Sequence, residues 1–256
     1  MKYKAVILAA GIGSRLEPYS KYTPKCLIDL NGTNSIKHIL YCLSQCGVNE
    51  TVIVVGYRAE QIKEAIGNSI FNMDITYIYN KYYNHHGCEY SLALSAPALE
   101  DADKVLITEG DLLMPVEYYK TFTDDKSENA VAIRDIEINP KRSVVAIGKN
   151  DLVEKFIYDR EHIDVFRFIE DKNMVLGESM QLWKFEGACK KLLVNLLHKF
   201  TDTISAEANI ENGLYSINLA LKTYKLKPVL ITGDNWINLN TVEDVMKGRR
   251  ELWLKR

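Results

Sequence analysis

Between Leu8 and Lys25 the chain reads LAAGIGSRLEPYSKYTPK, where an apolar run gives way to Gly11 and Gly13, then Arg15 and, ten residues on, Lys25. Glycines let backbone amides close on an anion, and a nest of such amides binds phosphate. Arg15 brings a planar fork of donors matched to phosphate oxygens. Lys25, preceded by the rigid Pro24, brings a compact charge to a point where negative charge develops. Together these residue types describe a cradle for a triphosphate. Two familiar glycine loops do not fit: there is no GxxxxGK[ST] sequence here, and Leu16 stands where a dinucleotide fingerprint needs its third glycine. A plain strand-to-helix turn with an exposed arginine would explain each residue singly. It does not explain their combination on the carboxyl side of a first strand, where open α/β sheets bind ligands.

A second candidate is Asp111, in VLITEGDLLM. A hard cation such as magnesium takes carboxylate oxygens and bridges phosphates, so an aspartate at a strand's carboxyl end opposite the glycine loop suits that ion. A helix cap or turn aspartate is the bland alternative. Glu109, two residues earlier, is held as secondary. His85 and His86 are adjacent, which sends their rings to opposite sides of an extended backbone, and no further ligands are spaced around them; they read as solvated loop residues.

Positioning these groups requires a sheet. Apolar runs at 3–9 and 51–56 flank a helical pattern with Ile36, Ile39, Leu40 and Leu43 on one face. Further strands are expected at 75–79, 104–108, 130–134, 143–148 and 227–231. Helices are expected near 58–66, 90–99, 186–200 and 207–224, with a last one from Thr241. Alternation of this kind predicts a mostly parallel sheet with crossover helices. From about 135 to 175 charged residues crowd short β-like pieces (VVAIG, EKFIYD, HIDVFRFI), which predicts an antiparallel extension or a lid; the whole of 1–256 is read as one domain, with about 135–185 as that β-rich part.

Composition narrows the ligand. The 256 residues are 47% apolar, enough for a full core, and the net charge of -2 gives no reason to expect nucleic acid or an anionic membrane. The five cysteines are odd in number and scattered, without a CxxC pair, which reads as reduced thiols and a cytoplasmic setting. MKYKAVILA is too short an apolar run for a secretory signal and reads as a buried strand; no other stretch reaches the roughly 18 apolar residues of a membrane span.

The pattern LAAGxGSRLxPxSxxxPKxLIxLNG over residues 8–32 closely resembles the entry motif of the sugar-nucleotide and cytidylyl nucleotidyltransferases. The resemblance runs nearly the whole chain, strongest over 5–32 and weakest over 135–230. Within the superfamily, NKYYNHHGCEYSLAL (80–94), with its Tyr90-Ser91-Leu92 run, is similar to the bacterial phosphocholine-type cytidylyltransferases. This resemblance implies a three-layer α/β/α fold with a mixed, mostly parallel sheet. It implies CTP held by Leu8, Ala9, Ala10, Gly11, Gly13, Arg15 and Ser91, with Arg15 on the triphosphate and Lys25 between the α-phosphate and the acceptor. It also implies Mg2+ on Asp111 and on a second ligand near the C-terminus, where NWINLNTVED (235–244) offers Asn238 and Asn240 in place of the aspartate of many relatives.

The implied reaction is transfer of CMP to phosphocholine, phosphoethanolamine, 2-aminoethylphosphonate or a phospho-amide such as phosphoglutamine, with loss of pyrophosphate, for surface polysaccharide modification. A homodimer is a further expectation. For an ammonium-bearing acceptor, Glu178 and Glu211 are candidate partners, with Trp183, Tyr215 and Trp236 as aromatic walls. Competing readings are a sugar-1-phosphate nucleotidyltransferase, a glycosyltransferase that imitates its acidic motif with Glu109 and Asp111, and a nucleotide sensor.

Overall fold

In the computed structural model the described residues are 2–85, 87–135, 138–159, 161–200 and 226–251. In chain order the strands are β1 (Tyr3–Ala9), β2 (Glu50–Val55), β3 (Ser69–Ile70), β4 (Met73–Tyr79), β5 (Lys104–Glu109), β6 (Leu112–Leu113), β7 (Asn129–Arg134), β8 (Val145–Lys149), β9 (Leu152–Ile157), β10 (Val175–Glu186), β11 (Lys227–Leu230) and β12 (Ile237–Asn238). The helices are α1 (Ser35–Gln45), α2 (Ala59–Ile66), α3 (Cys88–Leu94), α4 (Ala96–Leu99), α5 (Val116–Asp124), α6 (Gly187–Phe200) and α7 (Val242–Gly248).

The main sheet runs β11-β7-β10-β5-β1-β2-β4-β3. Strands β5, β1, β2 and β4 are parallel, and β10 lies antiparallel between β5 and β7. Period-2 alternation along β1 explains the two layers of helices. Ala5, Ile7 and Ala9 pack with residues of α1, α2 and α5. Val6 and Leu8 pack with α3, α4 and α6 on the opposite face. Because both faces are covered, β1 is buried along its length and reads as one continuous apolar run. The fold is the mixed, mostly parallel α/β/α sandwich expected.

Three local expectations need correction. The 90–99 helix is two pieces, α3 and α4: Pro97 supplies no backbone donor, and Ser95 Oγ turns back to the Leu92 carbonyl (2.6 Å). HIDVFRFI is no strand. Its Val165–Phe168 stretch is a 3-10 helix opened by Asp164, whose side chain accepts from Phe166 N (2.9 Å), and it buries Val165 and Ile169 against β8 and β9. Finally, Val175–Glu186 was not singled out as a strand, yet β10 is an interior strand of the main sheet; the hairpin β8–β9 pairs onto its first residues as the antiparallel extension. The expected 207–224 helix lies outside the described residues.

Helix α1 carries a buried titratable group. His38 is 6% exposed, and its Nε2 donates to the Met114 carbonyl (2.8 Å). Burial pulls the imidazole below its ordinary value, against the opposing effect of that hydrogen bond. A lowered folded value means that the unfolded chain takes up the proton first. His38 therefore contributes stability above about pH 6.5 that is lost as pH falls from there. His38→Gln, which keeps a donor for Met114, should show a shallower loss of Tm than wild type on going from about pH 7 to about pH 5. Parallel slopes in thermal melts would contradict this.

Candidate active site

Leu8 pairs with Glu109 across the parallel β1–β5 ladder, so the loops that follow the two strands leave from the same edge. Gly110 N donates to the Leu8 carbonyl (2.9 Å), and a Cβ on Gly110 would sit 3.1 Å from that oxygen. Glycine is thus what lets the second loop lie against the first. Ser35 at the start of α1 ties them further, donating to the carbonyls of Gly110 (2.7 Å) and Cys26 (3.3 Å). The 3-10 turn Lys25–Leu27 follows Pro24 and sets Lys25 facing the carboxyl end of β5.

Two adjoining hollows open at this edge. The inner, about 120 Å³, is walled by Leu8, Ala9, Gly11, Gly13 and Gly110; the outer, about 300 Å³, by Arg15, Asn238, Asn240, Gln181 and others; Lys25, Cys88, Glu109 and Asp111 border both. Gly13 has φ +69, and a Cβ there would meet Lys25 Cβ at 3.0 Å. Its bare Cα therefore serves both the turn and the seat of the lysine.

Inside this space Lys25 Nζ pairs closely with Asp111 Oδ2. Asn240 Oδ1 accepts from Arg15 (2.8 Å) and from Lys25 Nζ (3.4 Å). The two-stranded ribbon β12–β6 brings the C-terminal segment here: Asn238 pairs with Leu112, and Leu239 N donates to the Asp111 carbonyl (3.0 Å). Asp244 holds the following turn in a capping box with Thr241 and also accepts from Asn240 N (2.9 Å).

The structure separates the two asparagines. Asn240 Oδ1 is already taken up by hydrogen bonds from Arg15 and Lys25. Asn238 Oδ1 and Asp111 Oδ1 are buried and have no hydrogen-bond partner among the described residues. Buried oxygens without donors are costly unless something positive completes them, and a carboxylate with an amide carbonyl is a donor set for a hard divalent cation. Asp111 and Asn238 are the residues that fit one.

Other sequence candidates lie elsewhere. Ala10 is beneath the glycine loop, its carbonyl accepting from Tyr57 N (2.9 Å). Ser91 is 4% exposed and borders neither hollow; its Oγ accepts from Asn80 Nδ2 (2.9 Å), while Asn80 Oδ1 accepts from Tyr82 N (2.9 Å). The Ser91–Asn80 bond ties α3 to the residue that follows β4. Glu178 is likewise corrected: buried, it accepts from Arg134 at 2.7 and 2.5 Å, and that guanidinium stacks on Trp236 at 4.2 Å, leaving no opening for an ammonium. Trp183 is fully buried core. Glu211 and Tyr215 lie outside the described residues.

Sequence reasoning missed much of the outer wall, including the polar residues Arg142, Tyr158, His162 and Gln181. Arg142, Tyr158 and His162 come from the irregular middle of the chain and Gln181 from β10, and none carries a motif. Tyr158 and His162 contact each other edge to face, and His162 Nδ1 meets the Lys141 carbonyl (3.0 Å). Glu89, the second residue of α3, was passed over as well. Burial raises its carboxyl to about 7, so it stays largely uncharged below neutrality. No helix among the described residues is long and apolar enough to cross a membrane.

The family described as Domain of unknown function (DUF6564) matches residues 23–252. A choline-phosphate cytidylyltransferase of Streptococcus pneumoniae is 38% identical over 106 residues, 40% of this chain and 45% of that protein. A 2-aminoethylphosphonate cytidylyltransferase of Lancefieldella rimae is 47% identical over 60 residues, 23% of this chain and 24% of that one. The chain thus aligns with less than half the length of either curated relative. Among solved structures, a CTP:phosphocholine cytidylyltransferase from Streptococcus pneumoniae superposes with TM-score 0.70 at 19% identity, covering 96% of this chain and 97% of that one, a likeness of fold.

Gly13→Ala should cost about 1–2 kcal/mol, because the new Cβ is forced into the left-handed region and against Lys25. Chemical denaturation reads this directly; an unchanged midpoint would refute it.

Proposed function

The chain belongs to the DUF6564 family, and from its cavity we propose that it is a cytidylyltransferase, moving CMP from CTP to a small phosphorylated or phosphonate acceptor and releasing pyrophosphate. The observation that carries this reading is the meeting of Arg15, Lys25 and Asp111 at one edge of the sheet, beside a glycine loop. The similarity to two cytidylyltransferases supports cytosine as the base.

In this reading an oxygen of the acceptor's phosphate or phosphonate attacks the α-phosphorus in line. A new P–O bond forms, the bond to the bridging α–β oxygen breaks, and pyrophosphate leaves with that electron pair. The nucleophile is already an anion, so no proton need be removed and no protein nucleophile is needed. What the chain supplies is position and positive charge. The glycine-loop amides and Arg15 hold the triphosphate. Asn240 aligns Arg15 with Lys25, and Lys25 lies where the two anions approach, whose repulsion at about 4 Å is on the order of 4 kcal/mol at intermediate dielectric. Magnesium on Asp111 and Asn238 would add neutralising charge on the phosphates.

Arg142, Tyr158 and His162 form the outer wall against which the acceptor would rest. Phosphocholine, phosphoethanolamine, 2-aminoethylphosphonate and phosphoglutamine are the acceptor types to compare, and modification of a surface polysaccharide is the proposed setting. No described contact supports the sugar-phosphate alternative over this one.

The deciding experiment is pyrophosphate release with magnesium, testing CTP, UTP, GTP and dTTP against those acceptors and sugar 1-phosphates. CTP with a phosphorylated amine, phosphonate or phospho-amide is the expected productive pair; release with sugar 1-phosphates alone would reject it. With the productive pair, Lys25→Met should lower turnover by about a hundredfold or more while the circular dichroism spectrum is kept. Arg142→Ala should raise the acceptor's KM about tenfold with little change in that of CTP, read from initial rates.

A further inference from the structure

Strand β10 does not pass evenly through the sheet. Its register against β7 shifts between Ser179 and Trp183, and within that interval Gln181 has φ +57. The left-handed region is disfavoured for a residue with a Cβ and persists only where the surroundings impose it. Met180 and Leu182 on either side are fully buried, which anchors the bulge, while the Gln181 side chain borders the outer hollow. Since β10 neighbours β5, with Leu182 opposite Thr108, the bulge sits beside the strand end that delivers Asp111.

Gln181 Oε1 accepts a hydrogen bond from Asn238 Nδ2 at 2.7 Å. An amide has a donor end and an acceptor end, and its neighbours decide which way it faces. With the amino end occupied by Gln181, the Oδ1 end of Asn238 turns elsewhere, and that oxygen is the one left without a partner, like Asp111 Oδ1. Reversed, the amide would offer two N–H donors to a place where a cation needs lone pairs.

We infer that Gln181 is a positioning residue, held in a strained bulge so that it fixes the Asn238 amide with its carbonyl oxygen available, beside Asp111, to a divalent cation. The inference rests on the cytidylyltransferase reading of the same site. The bulge calls for a residue at φ +57, and a glycine would adopt that angle freely but could not accept the bond.

The test uses Mn2+ as probe, with free Mn2+ measured by electron paramagnetic resonance on the full chain with and without CTP. Gln181→Met and Gln181→Gly should each weaken Mn2+ binding about tenfold or more, as loss of a ligand's orienting partner does. Gln181→Glu, whose carboxylate accepts the same bond, should bind Mn2+ at least as well as wild type. The Tm of Gln181→Gly should match or exceed that of wild type, since glycine relieves the backbone, so weaker binding in that variant is not loss of fold. Wild-type affinity in Gln181→Met and Gln181→Gly overturns the inference and leaves the transferase reading standing; so does equal loss in Gln181→Glu. If the wild-type chain itself binds no Mn2+ in the presence of CTP, both readings fail.

Discussion

Everything at the site depends on the parallel pairing of β1 with β5. Parallel strands end at the same edge, so the loop after Ala9 and the turn after Glu109 cannot avoid each other. Antiparallel pairing would have put Gly13 and Asp111 at opposite ends of the sheet, some six residues of strand apart. The close approach then needs Gly110, whose missing side chain leaves room for the Leu8 carbonyl. Once the loops touch, Lys25 and Asp111 are within reach of each other, and the C-terminal ribbon β12–β6 has a turn to pair against.

Arg15 and Lys25 converge on Asn240 Oδ1, a neutral oxygen, so those bonds cancel no charge, and Arg15 keeps its own for a ligand. A carboxylate in that place would aim them equally well and neutralise one of them. Lys25 also pairs with Asp111, whose side chain is nearly buried. Desolvation makes a lone buried carboxylate expensive, and this pairing gives its Oδ2 a positive partner. The arrangement suits an anion that arrives with its own counter-cation, which is what the proposed reaction demands.

How far the sequence could be read follows from distance along the chain. The glycine loop, Arg15 and Lys25 stand within 18 residues, and their types carry meaning before any fold is known. The apolar runs of β1, β2 and β5 were equally plain, because parallel strands buried on both faces are uninterrupted. Strand β10 was missed because a bulge at Gln181 breaks the period on which strand recognition relies. Glu178 was misread for a related reason: VLGESMQLW does not disclose that Arg134, forty-four residues earlier, is its neighbour. Asn238 and Asn240 looked interchangeable in an extended piece, and only the side chains of Gln181 and Arg15 give them different surroundings. The outer wall of Arg142, Tyr158 and His162 comes from turns with no repeating pattern, so composition alone had nothing to report.

Core and site are also joined through helix α1. Asn34 caps it by accepting from Lys37 N (3.0 Å), which fixes where its first turn begins. That places Ser35 between the carbonyls of Cys26 and Gly110, and one turn later His38 against the carbonyl of Met114. The three carbonyls belong to the residue after Lys25, the residue before Asp111, and the end of the short segment that carries β6. A single apolar helix face, built from Ile36, Ile39, Leu40 and Leu43, therefore locks both charged loops to the sheet. Loosening α1 would not remove any group from the cavity; it would let Lys25 and Asp111 drift relative to each other. Positional error of that kind is what a site working through placed charge tolerates least.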